Sequence, residues 1–142
     1  MTDATVVRGS CLCGAIELSA KLDNKKIAAC HCNMCRKWGG GALLALECGG
    51  DVSFANPKNI SIYQSSEWAE RGFCQQCGTH LFYRLKQDGR YFMPAGIFDR
   101  LEGFIFESQI FIDEKPDYYC FANETTNLTG AELFAQFALP SE

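Results

Sequence analysis

Positive charge is in short supply in this chain. Thirteen Lys and Arg stand against 17 Asp and Glu in 142 residues, a formal net charge of -4. Without a basic excess there is no field to hold nucleic acid non-specifically, and no nucleic-acid partner is expected. Long apolar runs are missing too. The longest, WGGGALLAL from Trp38 to Leu46, falls far short of the ~20 residues that cross a bilayer, so no membrane partner is expected either. The opening MTDATVVRGS starts acidic and has no apolar h-region, unlike a secretory signal. Proline is scarce, at four residues beside 13 Gly, which excludes a low-complexity or collagen-like chain. No internal repeat and no linker interrupt the sequence. An apolar share of 47% with 21% charged residues is ordinary globular composition. One folded domain over 1–142 is expected.

Cysteine is abundant. There are nine, an odd number that a pure disulfide framework would not use. The expected compartment is the cytosol, where thiols stay reduced. Many thiols there point to metal binding or redox chemistry. Seven of the nine fall into three clusters: Cys11-x-Cys13, Cys30-x-Cys32-x-x-Cys35 and Cys74-x-x-Cys77. Such gaps let two sulfurs meet one ion at about 2.3 Å each from a tight turn. Gly14 and Gly78 follow the first and last clusters, where a glycine can take positive φ and let the chain leave the turn. Soft thiolates favour zinc over magnesium or calcium.

Seven thiols fill one tetrahedral site and leave three. A four-cysteine site is closed and structural; a three-ligand site keeps a position for water or substrate. The similarity of the two Gly-terminated clusters favours pairing Cys11 and Cys13 with Cys74 and Cys77. Cys30, Cys32 and Cys35 would then hold a second ion together. A competing arrangement joins Cys32 and Cys35 to Cys74 and Cys77 as a zinc-ribbon-like site. Arg36, Lys37 and Arg71 are candidates to meet an anionic ligand near the open site. His31 and His80 read as pocket-lining or structural. Cys48 and Cys120 read as buried free thiols acting as small hydrophobes. The aromatics of Tyr91-Phe92, Phe104 to Phe106 and Tyr118-Tyr119 read as core.

The coarse pattern is β-rich. Ile16, Leu18 and Ala20 share one face of an alternating segment, as do Leu44, Leu46 and Cys48. Val52 and Phe54 alternate, and so do Ile60 and Ile62. Leu81 to Leu85, a turn at Asp88-Gly89, then Tyr91 and Met93 predict a hairpin. Ile110 and Ile112 predict a strand that Pro116 stops. Thr129 and Glu132 form a capping box ahead of Leu133, Phe134 and Phe137, which predicts a short C-terminal helix. Another turn of helix is expected after Cys32, through Arg36 and Trp38.

Taken together, GSCLCGAIEL, ACHCNMCRKWGG and RGFCQQCGTHLFYR resemble the glutathione-dependent formaldehyde-activating enzyme family, which also contains centromere protein V. The resemblance runs from about Gly9 to Tyr119. It implies an all-β, Mss4-like fold with two zinc ions. In that family's pattern Cys11, Cys13, Cys74 and Cys77 hold a structural zinc, and Cys30, Cys32 and Cys35 a catalytic one. It also implies carbon–sulfur lyase chemistry, joining formaldehyde to glutathione as S-hydroxymethylglutathione. The chain departs from the family's late segment at Gln109, where His is common, and at Tyr118, where Trp is common. Two other readings of the thiols are a zinc-stabilised binding module without catalysis and a thiol redox or metal-buffer protein.

Overall fold

The computed structural model describes residues 5–137, with the side chain of Phe137 outside the described set. The termini of the expected 1–142 domain therefore lie outside it. Eleven strands and two α-helices are present among the described residues. They are β1 (Thr5–Ser10), β2 (Glu17–Leu22), β3 (Lys26–Cys30), α1 (Asn33–Gly39), β4 (Leu43–Gly49), β5 (Val52–Ala55), β6 (Ile60–Tyr63), β7 (Ala69–Cys74), β8 (His80–Leu85), β9 (Tyr91–Pro94), β10 (Ile105–Ile110), β11 (Thr126–Leu128) and α2 (Gly130–Phe137). The mostly-β expectation holds. No helix among them is long and apolar enough to cross a membrane.

The chain packs as two compact units, the first built from residues up to Lys26 and Leu46–Phe104, the second from Ile27–Ala45 and Ile105 onward. In the first unit β1, β2 and β5 form a three-stranded antiparallel sheet. Strands β6 to β9 form an antiparallel ladder of consecutive neighbours. The predicted alternation holds, with Ile16 just before β2 and Leu18 and Ala20 within it all buried, and Leu22 continues the face. The β8–β9 hairpin forms too, and Met93 is fully buried. Phe54, Phe82 and Tyr91 meet edge to face or tilted at 4.9–5.8 Å between centroids. That is the arrangement aromatic quadrupoles favour.

In the second unit β11, β10, β3 and the first three residues of β4 are successive neighbours. Its buried residues include two polar ones, His31 and Gln109, beside Ala29 and Cys35. A buried polar group left unpaired costs about 1–3 kcal/mol, so this interior has to be hydrogen-bonded to be stable. It is, as described below. The capping box at α2 is reciprocal: the Glu132 N–H donates to Thr129 Oγ1 at 3.1 Å and the Thr129 N–H to Glu132 Oε1 at 2.8 Å.

Leu44 shares a face of β4 with Leu46 and Cys48 as expected and is 40% exposed, because alternation sets which way a side chain faces, not what covers it. Three expectations are corrected. Ile112 is not in a strand. Phe111 takes φ 54°, β10 ends at Ile110, and residues 112–114 form a 3-10 turn. Cys120 is exposed rather than buried. It lies in the irregular segment before β11, where no strand face turns it inward. Tyr118, read as core, is 78% exposed for the same reason.

Candidate metal centres

The first sulfur group is assembled in the first unit. Cys11 follows the end of β1, and its N–H donates to the Ile16 carbonyl at 3.0 Å while its own carbonyl accepts from Gly14 N–H at 3.1 Å. Cys74 ends β7, and the Gly78 N–H closes the next turn on the Cys74 carbonyl at 2.8 Å. Gly14 and Gly78 adopt φ of 82° and 79° with open space around a would-be Cβ. Glycine is used there for backbone conformation and not for room. Thr79 joins the two turns. Its hydroxyl oxygen accepts from Leu12 N–H at 3.0 Å and its hydroxyl hydrogen is left for Cys77 Sγ at 3.1 Å. That hydrogen bond, followed by the Thr79 N–H, lowers Cys77 to about 5.

The four sulfurs of Cys11, Cys13, Cys74 and Cys77 lie within 4.8 Å of one another. Two edges of the group measure 3.7 Å, Cys11 to Cys13, and 3.8 Å, Cys13 to Cys74. Four sulfurs at 2.3 Å from a central ion in a tetrahedron are about 3.8 Å apart. The donor set and spacing therefore fit zinc. Backbone N–H groups already point at the sulfurs, from Ile16 to Cys11 at 3.3 Å and from Gln76 to Cys74 at 3.4 Å. Such donors favour the thiolate and orient it as a ligand.

The second group is assembled in the second unit. Cys30 ends β3, Cys32 caps α1 and Cys35 sits in its first turn. The Cys35 N–H donates to Cys32 Sγ at 3.3 Å. All three sulfurs lie within 4.8 Å of one another. The Cys30 and Cys35 thiols, both turned toward the Cys32 sulfur, push Cys32 well below the ordinary thiol range. The same contacts push Cys30 upward. Three thiols held this close together are ligands whose protons a cation can replace. Three soft donors at this spacing fit a zinc ion with one further position. The two groups have no cysteine in common.

His31, between two of these cysteines, is not in either group. It is fully buried. Its Nε2 is 2.8 Å from Gln109 Oε1 and its Nδ1 is 2.8 Å from the Tyr119 hydroxyl. Burial first of all, then the charges of Lys115 and Arg36, hold it below the usual imidazole range against the opposing pull of Gln109. Arg36 is half-buried and donates from Nε to the His31 carbonyl at 2.9 Å. Lys37 is exposed on the same helix. Arg71 belongs to the first unit, where it is buried with its guanidinium 4.8 Å from the centre of the Tyr83 ring. His80 is half-buried and held low by burial and by Arg71. Cys48 is buried, and burial followed by the Glu47 charge pushes its thiol up to about 12. It is no candidate nucleophile.

Sequence reasoning missed the surroundings of the trio. Tyr119 reads as core, yet its hydroxyl bonds His31. Gln109 is flagged only as a departure from a family pattern, yet it holds the other side of the same ring. Glu114 was not singled out at all. Its carboxylate accepts from Asn33 N–H at 2.8 Å and so anchors the start of the helix that carries Cys35. None of these has a local signal, since each pairs residues some 80 positions apart.

Three comparisons with known proteins bear on this site. The family model for the glutathione-dependent formaldehyde-activating enzyme matches residues 6–114. An uncharacterized lyase of Schizosaccharomyces pombe is 40% identical over 126 residues, covering 88% of this chain and 92% of its own. A Halomonas elongata protein, described as a candidate glutathione-dependent formaldehyde-activating enzyme, is 30% identical over 86 residues, 54% of this chain and 55% of its own. The crystal structure of a Rhodobacter sphaeroides protein superposes with a TM-score of 0.56 at 27% identity, over 69% of this chain and 90% of that one.

Proposed function

The chain belongs to the glutathione-dependent formaldehyde-activating enzyme family, and from that premise we propose that it is a two-zinc carbon–sulfur lyase joining glutathione, or a closely similar thiol, to formaldehyde. The observation that carries this reading is the trio Cys30, Cys32 and Cys35, three thiols within 4.8 Å of one another with no fourth cysteine in the group among the described residues. Cys11, Cys13, Cys74 and Cys77 would hold the structural ion, and the trio the catalytic one. A zinc ion held by three thiolates supplies thiol activation, because it lowers the pKa of a bound thiol while the -1 formal charge of the site weakens its pull on a carbonyl.

The chain's own residues do the rest. Cys30, Cys32 and Cys35 would leave a fourth position for the tripeptide's sulfur. Arg36, pinned through Nε to the His31 carbonyl, keeps its two terminal nitrogens for a substrate carboxylate, a geometry suited to bidentate pairing. Lys37, exposed on the same helix, adds positive charge at the entrance. Arg71, the remaining candidate for an anionic ligand, is buried with its guanidinium over Tyr83. In the net reaction the carbon–sulfur bond forms, the carbonyl π bond breaks, and the thiol proton ends on the new hydroxyl.

The test is direct. Zinc-loaded protein mixed with glutathione and formaldehyde should speed the exchange between free and hydroxymethylated glutathione, read by NMR exchange spectroscopy. Exchange no faster than in protein-free buffer would contradict the assignment.

A further inference from the structure

His31 and Gln109 belong to a longer run of side chains in the second unit, and the donor and acceptor ends of its two amides set the direction of the run. Asn127 Oδ1 lies 2.6 Å from Thr125 Oγ1. An amide oxygen can only accept, so the Thr125 hydroxyl spends its hydrogen there. Thr125 Oγ1 must then accept from its other neighbour, Gln109 Nε2, at 2.9 Å. With its NH₂ committed, Gln109 presents its carbonyl oxygen to His31 Nε2 at 2.8 Å. That nitrogen therefore carries the ring proton, and Nδ1 carries the lone pair. The hydrogen of the Tyr119 hydroxyl goes to Nδ1 at 2.8 Å.

The end of the run is the consequence. Tyr119 has given away its only hydrogen, and its oxygen keeps a free lone pair. The ring is half-buried. It is clamped by Lys115, which donates to the carbonyls of Tyr119 and Pro116 and sits 5.3 Å from the ring centre. The phenol oxygen lies 2.8 Å from the ring of His31, the residue between Cys30 and Cys32. An acceptor there suits a ligand that brings a hydroxyl hydrogen, and does little for a bare carbonyl, which would need a donor.

We infer that Asn127, Thr125, Gln109 and His31 form a directional hydrogen-bond chain that makes Tyr119 an acceptor, and that Tyr119 recognises the hydroxyl of an S-(1-hydroxyalkyl) thiol adduct. Tyr119 is thus a substrate-contacting residue, and the other four are positioning residues. This rests on the functional reading above for the identity of the ligand, though not for the direction of the chain. It also gives Gln109 a role that His would not fill identically. An amide has a fixed donor end and a fixed acceptor end, whereas an imidazole can present either.

Two measurements on the zinc-loaded protein test this. Nitrogen-15 NMR of the His31 ring should show Nε2 protonated and Nδ1 bare. Gln109→Leu should leave a mixture of tautomers. A ring protonated at Nδ1 in the unaltered protein would reverse the chain and overturn the inference. Calorimetric titration should then compare glutathione alone with glutathione saturated by formaldehyde. Tyr119→Phe is expected to weaken the adduct about tenfold, the scale of one lost hydrogen bond, and to leave glutathione alone within about twofold. Equal losses for both ligands, or none for the adduct, would remove Tyr119 from hydroxyl recognition while the functional reading stands. If the unaltered protein binds neither ligand, the functional reading fails and the ligand assignment goes with it.

Discussion

Arg36 spends one of its three nitrogens on the His31 carbonyl and keeps the other two within reach of a carboxylate. Its replacement by Met should weaken glutathione binding about tenfold and leave a thiol without carboxylates, such as 2-mercaptoethanol, nearly unchanged. Competition titration of the two thiols checks this. Equal loss for both would mean that Arg36 acts by holding His31 in place and not by charge. Cys48 makes the contrasting case. Its thiol is pushed from an ordinary value of 9.0 up to about 12 by burial and by Glu47. It should resist iodoacetamide in the folded protein at pH 8, while exposed Cys120 reacts; peptide mapping after alkylation reads both. The sign of the linkage follows. The unfolded chain releases the Cys48 proton near pH 9 and the folded one does not, so folding stability falls as pH rises from about 9 towards 12.

Elements carry a different lesson. Gly72 in β7 lies opposite Phe82 in β8, and a Cβ added there would come within 2.3 Å of the Phe82 ring. That ring is buried and meets Phe54 and Tyr91, so it cannot swing away. Gly72→Ala should cost about 1–3 kcal/mol by overpacking, measured by denaturant melts. A cost below about 0.5 kcal/mol would show that the aromatic group is looser than its geometry. Several elements were legible because their causes are local. The alternation of Ile16, Leu18 and Ala20, the Asp88-Gly89 turn and the Thr129–Glu132 capping box each lie within a few residues. Cys30, Cys32 and Cys35 were legible for the same reason, since one strand end and one helical turn bring them together. Ile112 was misjudged because alternation cannot see that Phe111 breaks the strand with a positive φ, and the exposure of Leu44 lay beyond reach because burial depends on distant segments. The His31 partners were invisible because Gln109 and Tyr119 are 78 and 88 residues away.

For the whole molecule, the proposed closed and open sites would give two different dependences on metal. A tetrahedral four-thiolate site contributes on the order of 10 kcal/mol to folding, so Cys74→Ser should leave little folded protein. A three-thiolate site with an open position exchanges its ion more easily. Graded chelation should remove activity first and circular dichroism later. Simultaneous loss of both would indicate one cooperative metal requirement and no separate catalytic ion.

The division between a closed and an open site is tested most directly by native mass spectrometry of the unaltered protein and Cys32→Ser, each with zinc and then with glutathione. The account predicts two zinc ions and one bound tripeptide for the former. For the latter it predicts one zinc ion, an intact fold and no tripeptide. A Cys32→Ser protein that unfolds, or that still carries two ions and glutathione, would contradict it.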